Sequence, residues 1–370
     1  RGIENPAYDI LLEMVDDSIE KMRKGRRLVW IYTDNLKDET LPAEKVKEGK
    51  ARQFNGCNLI YFSLVRIYFG NFIKCFMGNK LDNETALGIN VYSADWHDMS
   101  KRMLRFGDTE AMIAGDFSGF DATELAYIHW KIYEIIESWY GDSDTEDSRI
   151  RKILWYEVVN SRHVAYDSIY EWCGSLPSGN PLTTIINCLY NIIAYRYCFH
   201  RATGKASEFR NYCQLFVLGD DNICSVHERY REVFNENTIG TFMSELGLSY
   251  TREDKRVGDA NAPILRNLRN ISFLKRTFRF EPLVGKWIGS LDLKSIISIP
   301  CWTKKGVNSL GIFHTNVLEF CHELALHEDE VYDKYIVLMY KALRHCDDFD
   351  WDNYPIKRLR RIVLSERVSL

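Results

Sequence analysis

The chain predicts an α+β fold with an all-α C-terminal part, and three observations carry that expectation. Short apolar runs interleave with segments of helical periodicity over the first two thirds. Two of those runs, 215–218 and 223–226, flank Gly219, Asp220, Asp221 and Asn222, which reads as strand, tight turn and strand. After Lys286 the pattern turns mainly helical.

Taken in order, residues 8–24 carry Ile10, Leu11, Met14, Ile19 and Met22 at near-helical spacing and predict an amphipathic helix. Residues 28–32 read as a strand, followed by the charged segment 37–52. The strongly apolar and aromatic stretch 58–77 predicts a buried helix. Residues 111–139 give a strand, an acidic loop and a long helix. A polar turn at 141–147 precedes a helix at 150–161, and 164–173 alternates as a hairpin. The small-residue loop 174–181 opens a long helix to about His200, with Asn180 as cap and Pro181 in the first turn. A helix over 230–246 ends at Gly247. Residues 317–326 and 331–343 are the clearest helices of the C-terminal part. No internal repeat or low-complexity tract interrupts this order.

At 370 residues the chain can bury a large core in two or three subdomains. Its composition, 46% hydrophobic and 27% charged, is that of a soluble globular protein. No run approaches the roughly 18 continuous apolar residues of a membrane span. The first residues, Arg1-Gly2-Ile3, are neither a secretory signal nor an initiator Met, so the sequence is expected to be a piece of something longer. Ten cysteines without a CxxC pair or a Cys/His cluster at zinc spacing argue for buried, reduced thiols in the cytosol. A net charge of −4 does not advertise nucleic-acid binding. Residues 263–286, however, hold six basic side chains (Arg266, Arg269, Lys275, Arg276, Arg279, Lys286) against Glu281 alone, enough to line one positive channel.

Two adjacent carboxylates at a hairpin tip repel each other unless a positive charge sits between them, and a divalent cation supplies it. A second acidic pair, Asp116 and Asp121, lies about a hundred residues upstream, after the apolar run 112–114. Either pair alone is compatible with turn residues or helix caps. Both pairs following apolar runs point to phosphoryl transfer on two Mg²⁺ or Mn²⁺ ions, with Asp116 and Asp220 as ligands and Asp221 as auxiliary acid. Asp121 either caps the next helix or bonds Asn187. Thr183, Asn187 and Asn191 recur every four residues on one face of an otherwise apolar helix, and such a ridge needs partners. An Asp121–Asn187 bond would aim an amide at a ribose hydroxyl, which tells RNA precursors from DNA precursors. Ser178 and Gly179 would let the backbone approach nucleic acid closely.

The ordered set Asp116-x4-Asp121, Ser178-Gly179-x3-Thr183-x3-Asn187 and Gly219-Asp220-Asp221 resembles palm motifs A, B and C of viral RNA-dependent RNA polymerases. It is most similar to those of picorna-like positive-strand RNA viruses of the dicistrovirus and iflavirus type. Residues 37–39 through 49–52 resemble motif F, 250–255 motif D and 273–276 motif E, so six motifs span nearly the whole chain. The resemblance implies a right-hand fold with antiparallel palm and helical thumb. Its parts would be fingers at 1–105, palm at 106–139, a fingers insertion at 140–175, palm at 176–285 and thumb at 286–370. It implies that Lys45, Lys50 and Arg52 receive the triphosphate. Asp121, Ser178, Gly179, Thr183 and Asn187 would bind the nucleotide. Lys255 would protonate departing pyrophosphate. Lys275 and Arg276 would grip the primer backbone, and the basic stretch 357–361 either touches duplex RNA or is a solvated face. The implied partners are template and primer RNA, ribonucleoside triphosphates, a small protein primer and other replication proteins, at membrane-associated replication complexes in host cytoplasm. The N-terminal fingers and a template-guiding motif G are not found, so the fingers are expected to be incomplete. Two other readings are a reverse transcriptase and an RNA-binding replication scaffold. Leu218-Gly219 before the aspartates, where reverse transcriptases place an aromatic, and the Asp121–Asn187 pairing disfavour the first.

Overall fold

The structure is a computed structural model and describes residues 6–108, 111–254, 266–302, 309–344 and 356–367. Among these, eleven strands follow one another: β1 (Ile31–Leu36), β2 (Gln53–Gly56), β3 (Met112–Ser118), β4 (Arg162–Ala165), β5 (Ser168–Glu171), β6 (Cys213–Leu218), β7 (Asp221–Val226), β8 (Ser249–Arg252), β9 (Ser272–Phe273), β10 (Arg276–Glu281) and β11 (Lys286–Leu291). They form three sheets, ordered β2-β1-β4-β5, β6-β7-β3-β8 and β11-β10-β9.

The first helix, Pro6–Arg23, and the helix Leu59–Gly78 lie where the periodicity puts them. Asn58 Oδ1 caps the second, accepting from the Ile60 and Tyr61 N–H groups at 3.0 and 3.3 Å. By length and composition alone this 20-residue helix could cross a membrane, but Ser63, Arg66, Asn71 and Lys74 interrupt it, so the continuous apolar run that the sequence was expected to lack is indeed missing. Here it is a core helix, with Tyr61, Leu64, Val65, Phe69, Phe72, Ile73 and Phe76 buried. The strand expected at 28–32 starts instead at Ile31, because β4 pairs with it only from there and β2 from Thr33.

Three further boundaries differ from expectation. The helix foreseen at 150–161 is Glu146–Val159, started by Thr145, whose Oγ1 accepts from Ser148 N–H at 3.1 Å. The helix expected from Pro181 begins at Thr183 and runs to Thr203, while Asn180 Oδ1 still takes the Leu182 N–H at 2.9 Å. The segment 230–246 breaks into a short turn, Glu228–Tyr230, and a helix, Glu236–Glu245. A reciprocal capping box between Asn235 and Thr238 forces that restart. The C-terminal helices are Ser309–Leu324 and Asp329–Leu343, with a core of their own around Val317, Phe320, Leu324 and Ile336.

The central sheet positions the acids. Strand β3 pairs with β7 from Met112 to Gly115 and with β8 from Gly115 to Ser118, so Gly115 belongs to both ladders. A methyl group on Gly115 would stand 1.9 Å from the Tyr250 hydroxyl oxygen, which only a glycine permits.

Candidate active site

Strands β6 and β7 pair down to Leu218 opposite Asp221, leaving Gly219 and Asp220 as a two-residue turn with Gly219 at φ 65°. Side chains hold this turn by its backbone. Asn191 Nδ2 donates to the carbonyls of Gly219 and Asp220 at 3.1 and 3.0 Å. Asn222 Nδ2 donates to the same Asp220 carbonyl at 2.9 Å. Asn222 Oδ1 in turn accepts from the hydroxyls of Tyr195 at 2.5 Å and Tyr250 at 2.9 Å. One polar ridge residue, Asn191, thus finds its partner in the acidic turn itself.

Gly115 is registered opposite Asn222, which brings Asp116 and Asp221 to the same cleft. It measures about 190 Å³ and is also lined by Glu253, Phe273 and Lys275. Burial pushes the Asp221 carboxyl up to about 6, the charge of Asp220 adds to that, and Lys275 works against it. Oxygen donors that destabilise one another's ionised form are a fit for a hard divalent cation. Among the described residues, however, no three His, Cys, Asp or Glu side chains gather closely enough to hold an ion by themselves. Asp116 and Asp221 line the cleft, and Asp220 stands in the turn next to Asp221. The charge of Asp220 reaches Asp121, Asp221 and Arg52. Mutual repulsion keeps uncompensated carboxylates apart, and oxygen-seeking cations usually complete their shell with water and phosphate.

Asn187 Nδ2 donates to Asp121 Oδ1 at 2.7 Å. The short helix Phe120–Thr123 has no side-chain cap, so Asp121 is not the cap. Burial pushes the Asp121 carboxyl up against the pull of Asn187, with Asp220 adding to the rise. Asn187 Oδ1 is buried and has no hydrogen-bond partner among the described residues.

The loop before that helix serves the chain's own backbone. A methyl group on Gly179 would lie 1.7 Å from the Asn55 carbonyl oxygen, so the glycine admits a close approach of β2. Ser178 N–H donates to Asn55 Oδ1 at 2.9 Å. The Thr183 hydroxyl, expected at the nucleotide, donates to the carbonyls of Pro177 and Asn180, both at 2.8 Å.

Of the basic residues, Arg52 is exposed and bonds Glu39 with Nε at 2.7 Å. Lys50 pairs with Glu48 at 2.7 Å, and Lys45 sits in the short helix Ala43–Lys47, its charge helping Arg52 hold Glu39 down. Lys275 is exposed at the β9–β10 turn beside Asp221. Arg276 corrects the expectation of an RNA grip. It is buried, donating to Gly289 O at 2.8 Å and to both Glu323 oxygens at 2.8 and 2.5 Å, because an inward β10 position must pair its charge. Arg266 is likewise buried against Glu236 and Glu253, and Arg279 pairs with Glu281 at 2.8 Å. The basic run is thus no continuous channel. In the C-terminal stretch Arg360 turns to Glu281 and Asp329. Lys255 lies outside the described residues.

Sequence reasoning missed Tyr195, Asn222, Tyr250 and the Asp34–Asn55 pair. Asn222 stood next to the acidic turn and was the available signal. Tyr250 opened the stretch resembling motif D, but its bond to Asn222 and that of Tyr195 span 28 and 27 residues and left no local trace.

The description "Viral RNA-dependent RNA polymerase" belongs to the family model that matches residues 3–344. The replicase polyprotein of Drosophila C virus is 36% identical over 335 residues, covering 86% of this chain and 19% of that protein. That of acute bee paralysis virus is 32% identical over 343 residues, 90% of this chain and 18% of the relative. The chain therefore spans about a fifth of these curated relatives. A Sicinivirus 3Dpol RNA-dependent RNA polymerase structure superposes with a TM-score of 0.75 at 18% identity, over 95% of this chain and 70% of that one. The fold is thus the right-hand polymerase fold, α+β as expected, and the resemblance to picorna-like viruses holds. The chain belongs to the viral RNA-dependent RNA polymerase family.

Proposed function

We propose that this chain is the polymerase portion of a viral polyprotein and extends an RNA primer on an RNA template with ribonucleoside triphosphates. The observation that carries this reading is the meeting of Asp116 and Asp221 in one cleft, beside a turn whose Asp220 is fixed by its backbone. Asp116, Asp220 and Asp221 would hold two Mg²⁺ or Mn²⁺ ions, which when bound activate the attacking hydroxyl and steady the leaving oxygens. Lys45, Lys50 and Arg52 receive the triphosphate, Arg52 by exchanging Glu39 for phosphate oxygens. Asn187, oriented by Asp121, offers its free Oδ1 to a ribose hydroxyl. Lys255 is assigned the proton for pyrophosphate, and Lys275 the primer backbone. We assign fingers to 1–105 and 140–175, palm to 106–139 and 176–285, and thumb to 286–370. Its work belongs in host cytoplasm, at membrane-associated replication complexes, with a protein primer and other replication proteins as partners.

That no three His, Cys, Asp or Glu side chains among the described residues gather closely enough to hold an ion is the feature that favours a non-catalytic RNA-binding scaffold. Primer extension separates the two. The parent should extend primed RNA with Mg²⁺ or Mn²⁺ and prefer ribonucleotides, and Asp220→Ala should abolish extension while salt-sensitive RNA binding persists. RNA binding without extension by the parent would support the scaffold, and a preference for deoxyribonucleotides would support a reverse transcriptase.

A further inference from the structure

One side chain of the N-terminal sheet fastens the loop that leads into the Asn187 helix. Asn55 on β2 stands directly opposite Asp34 on β1 and is buried. Its Nδ2 donates to Asp34 Oδ1 at 2.6 Å. Its Oδ1 accepts from the Ser178 N–H at 2.9 Å and from the Ser178 hydroxyl at 3.3 Å, and its own N–H donates to Ser178 Oγ at 3.3 Å. The Asn55 carbonyl also lies against Gly179, as described above.

Asp34 decides which way round the amide lies. An ionised carboxylate only accepts, so Nδ2 must face it and Oδ1 must face the loop. Burial pushes the Asp34 carboxyl up, but hydrogen bonds from Tyr170, His163 and Asn55 outweigh that and hold it below its ordinary value. His163 Nδ1 lies 2.9 Å from Asp34 Oδ1, and its ring is packed by Tyr32, Tyr170 and Trp172, the last at 3.9 Å between centroids. The anchor is therefore buried and stacked, whereas the Ser178 it holds is exposed. From Ser178 the chain passes through Asn180, bonded to the Tyr32 and Tyr61 hydroxyls at 2.9 and 3.2 Å, directly into the helix carrying Asn187 and Asn191.

We propose that Asn55, oriented by Asp34, is a positioning residue for nucleotide selection. It sets the Ser178–Gly179 loop, and through it the start of the helix that presents Asn187 to Asp121 and the incoming sugar. The role rests on the polymerase reading above. Without the latch, each nucleotide must order the loop as it binds, so the loss falls on nucleotide KM and sugar preference rather than on RNA affinity.

The test compares the parent, Asn55→Ala, Asn55→Asp, Tyr170→Phe and the double variant Asp34→Asn/Asn55→Asp. Primer extension with ribo- and deoxyribonucleoside triphosphates is read beside hydrogen exchange over 175–182 and melting. Asn55→Ala should raise ribonucleotide KM about tenfold, narrow the ribo/deoxy ratio and speed exchange at Ser178. Asn55→Asp, which sets two carboxylates face to face, should be worse, and the double variant, which restores a donor–acceptor pair in reverse order, should recover most of the KM. Tyr170→Phe leaves Asp34 an acceptor and should lower the melting point without moving KM. Unchanged KM and sugar ratio in Asn55→Ala, with or without faster exchange, would reduce the contact to a structural fastening and overturn the proposal. Should Asn55→Ala fail to fold, a double variant as impaired as Asn55→Asp overturns it instead. A parent that extends nothing overturns the polymerase reading, and the selection role with it.

Discussion

Glu124 and His129 are both fully buried, 2.7 Å apart, just behind Asp121. Burial pushes the Glu124 carboxyl well up, with the charges of Asp121 and Asp220 adding to it, and burial pushes His129 down to about 4. Burial thus favours the neutral form of each partner in this 2.7 Å pair. The folded chain holds the Glu124 carboxyl proton more tightly than the unfolded one. Its stabilisation is whole below the ordinary carboxyl value and drains away as pH rises toward the folded value. His129 acts in the opposite sense, costing stability as pH falls below its ordinary 6.5. Glu124→Gln keeps an N–H donor for the imidazole and removes only the ionisable group. Its melting temperature should gain on the parent's as pH rises from about 5 to 8, and a constant gap across that range would refute the assignment. At this scale the sequence showed Asp121 with Asn187, because a polar ridge on an apolar helix demands a partner. Arg276 misled, since a motif gives the residue type but not the face of the strand it occupies.

Strand β3 changes partner at Gly115, and the Tyr250 ring fills the space a side chain would need. Gly115→Ala should destabilise the protein by roughly 1–3 kcal/mol in urea melts, the usual cost of overpacking. It should also slow extension, because a displaced Tyr250 releases Asn222 and loosens the acidic turn. A variant with parental stability and rate would show that the ring can yield freely. The β6–β7 hairpin, the Leu59–Gly78 helix and the Thr183–Thr203 helix were legible because apolar periodicity and cap residues act locally. Strand β2 was not. It reads Gln53, Phe54, Asn55, Gly56, and what stabilises it is a cross-strand bond to Asp34 and a loop more than 120 residues away.

Across the whole molecule, one carboxylate joins three regions. Glu323, on the C-terminal helix Ser309–Leu324, takes both guanidinium nitrogens of Arg276 on β10 and the hydroxyl of Tyr92 from the N-terminal part. Arg276 and Glu323 are buried, so removing one partner strands the other's charge, while Tyr92 is half-buried. Glu323→Ala should cost about 3–5 kcal/mol in chemical denaturation. Arg276→Ala should cost a similar amount, and the double variant should cost far less than the sum. Strict additivity would dissolve the joint. Sequence could not have shown it, because the pair is separated by 47 residues and each member alone reads as a surface charge.

The acidic turn is suspended by carbonyl oxygens, through Asn191 and Asn222, and not by the Asp220 carboxylate. Exchanging that carboxylate for an amide therefore alters the chemistry and leaves the scaffolding alone. On the proposed reading, an Asp220→Asn protein would be a mute decoy, shaped to take up template and substrate and stall there, which would make it the natural bait for trapping the loaded complex.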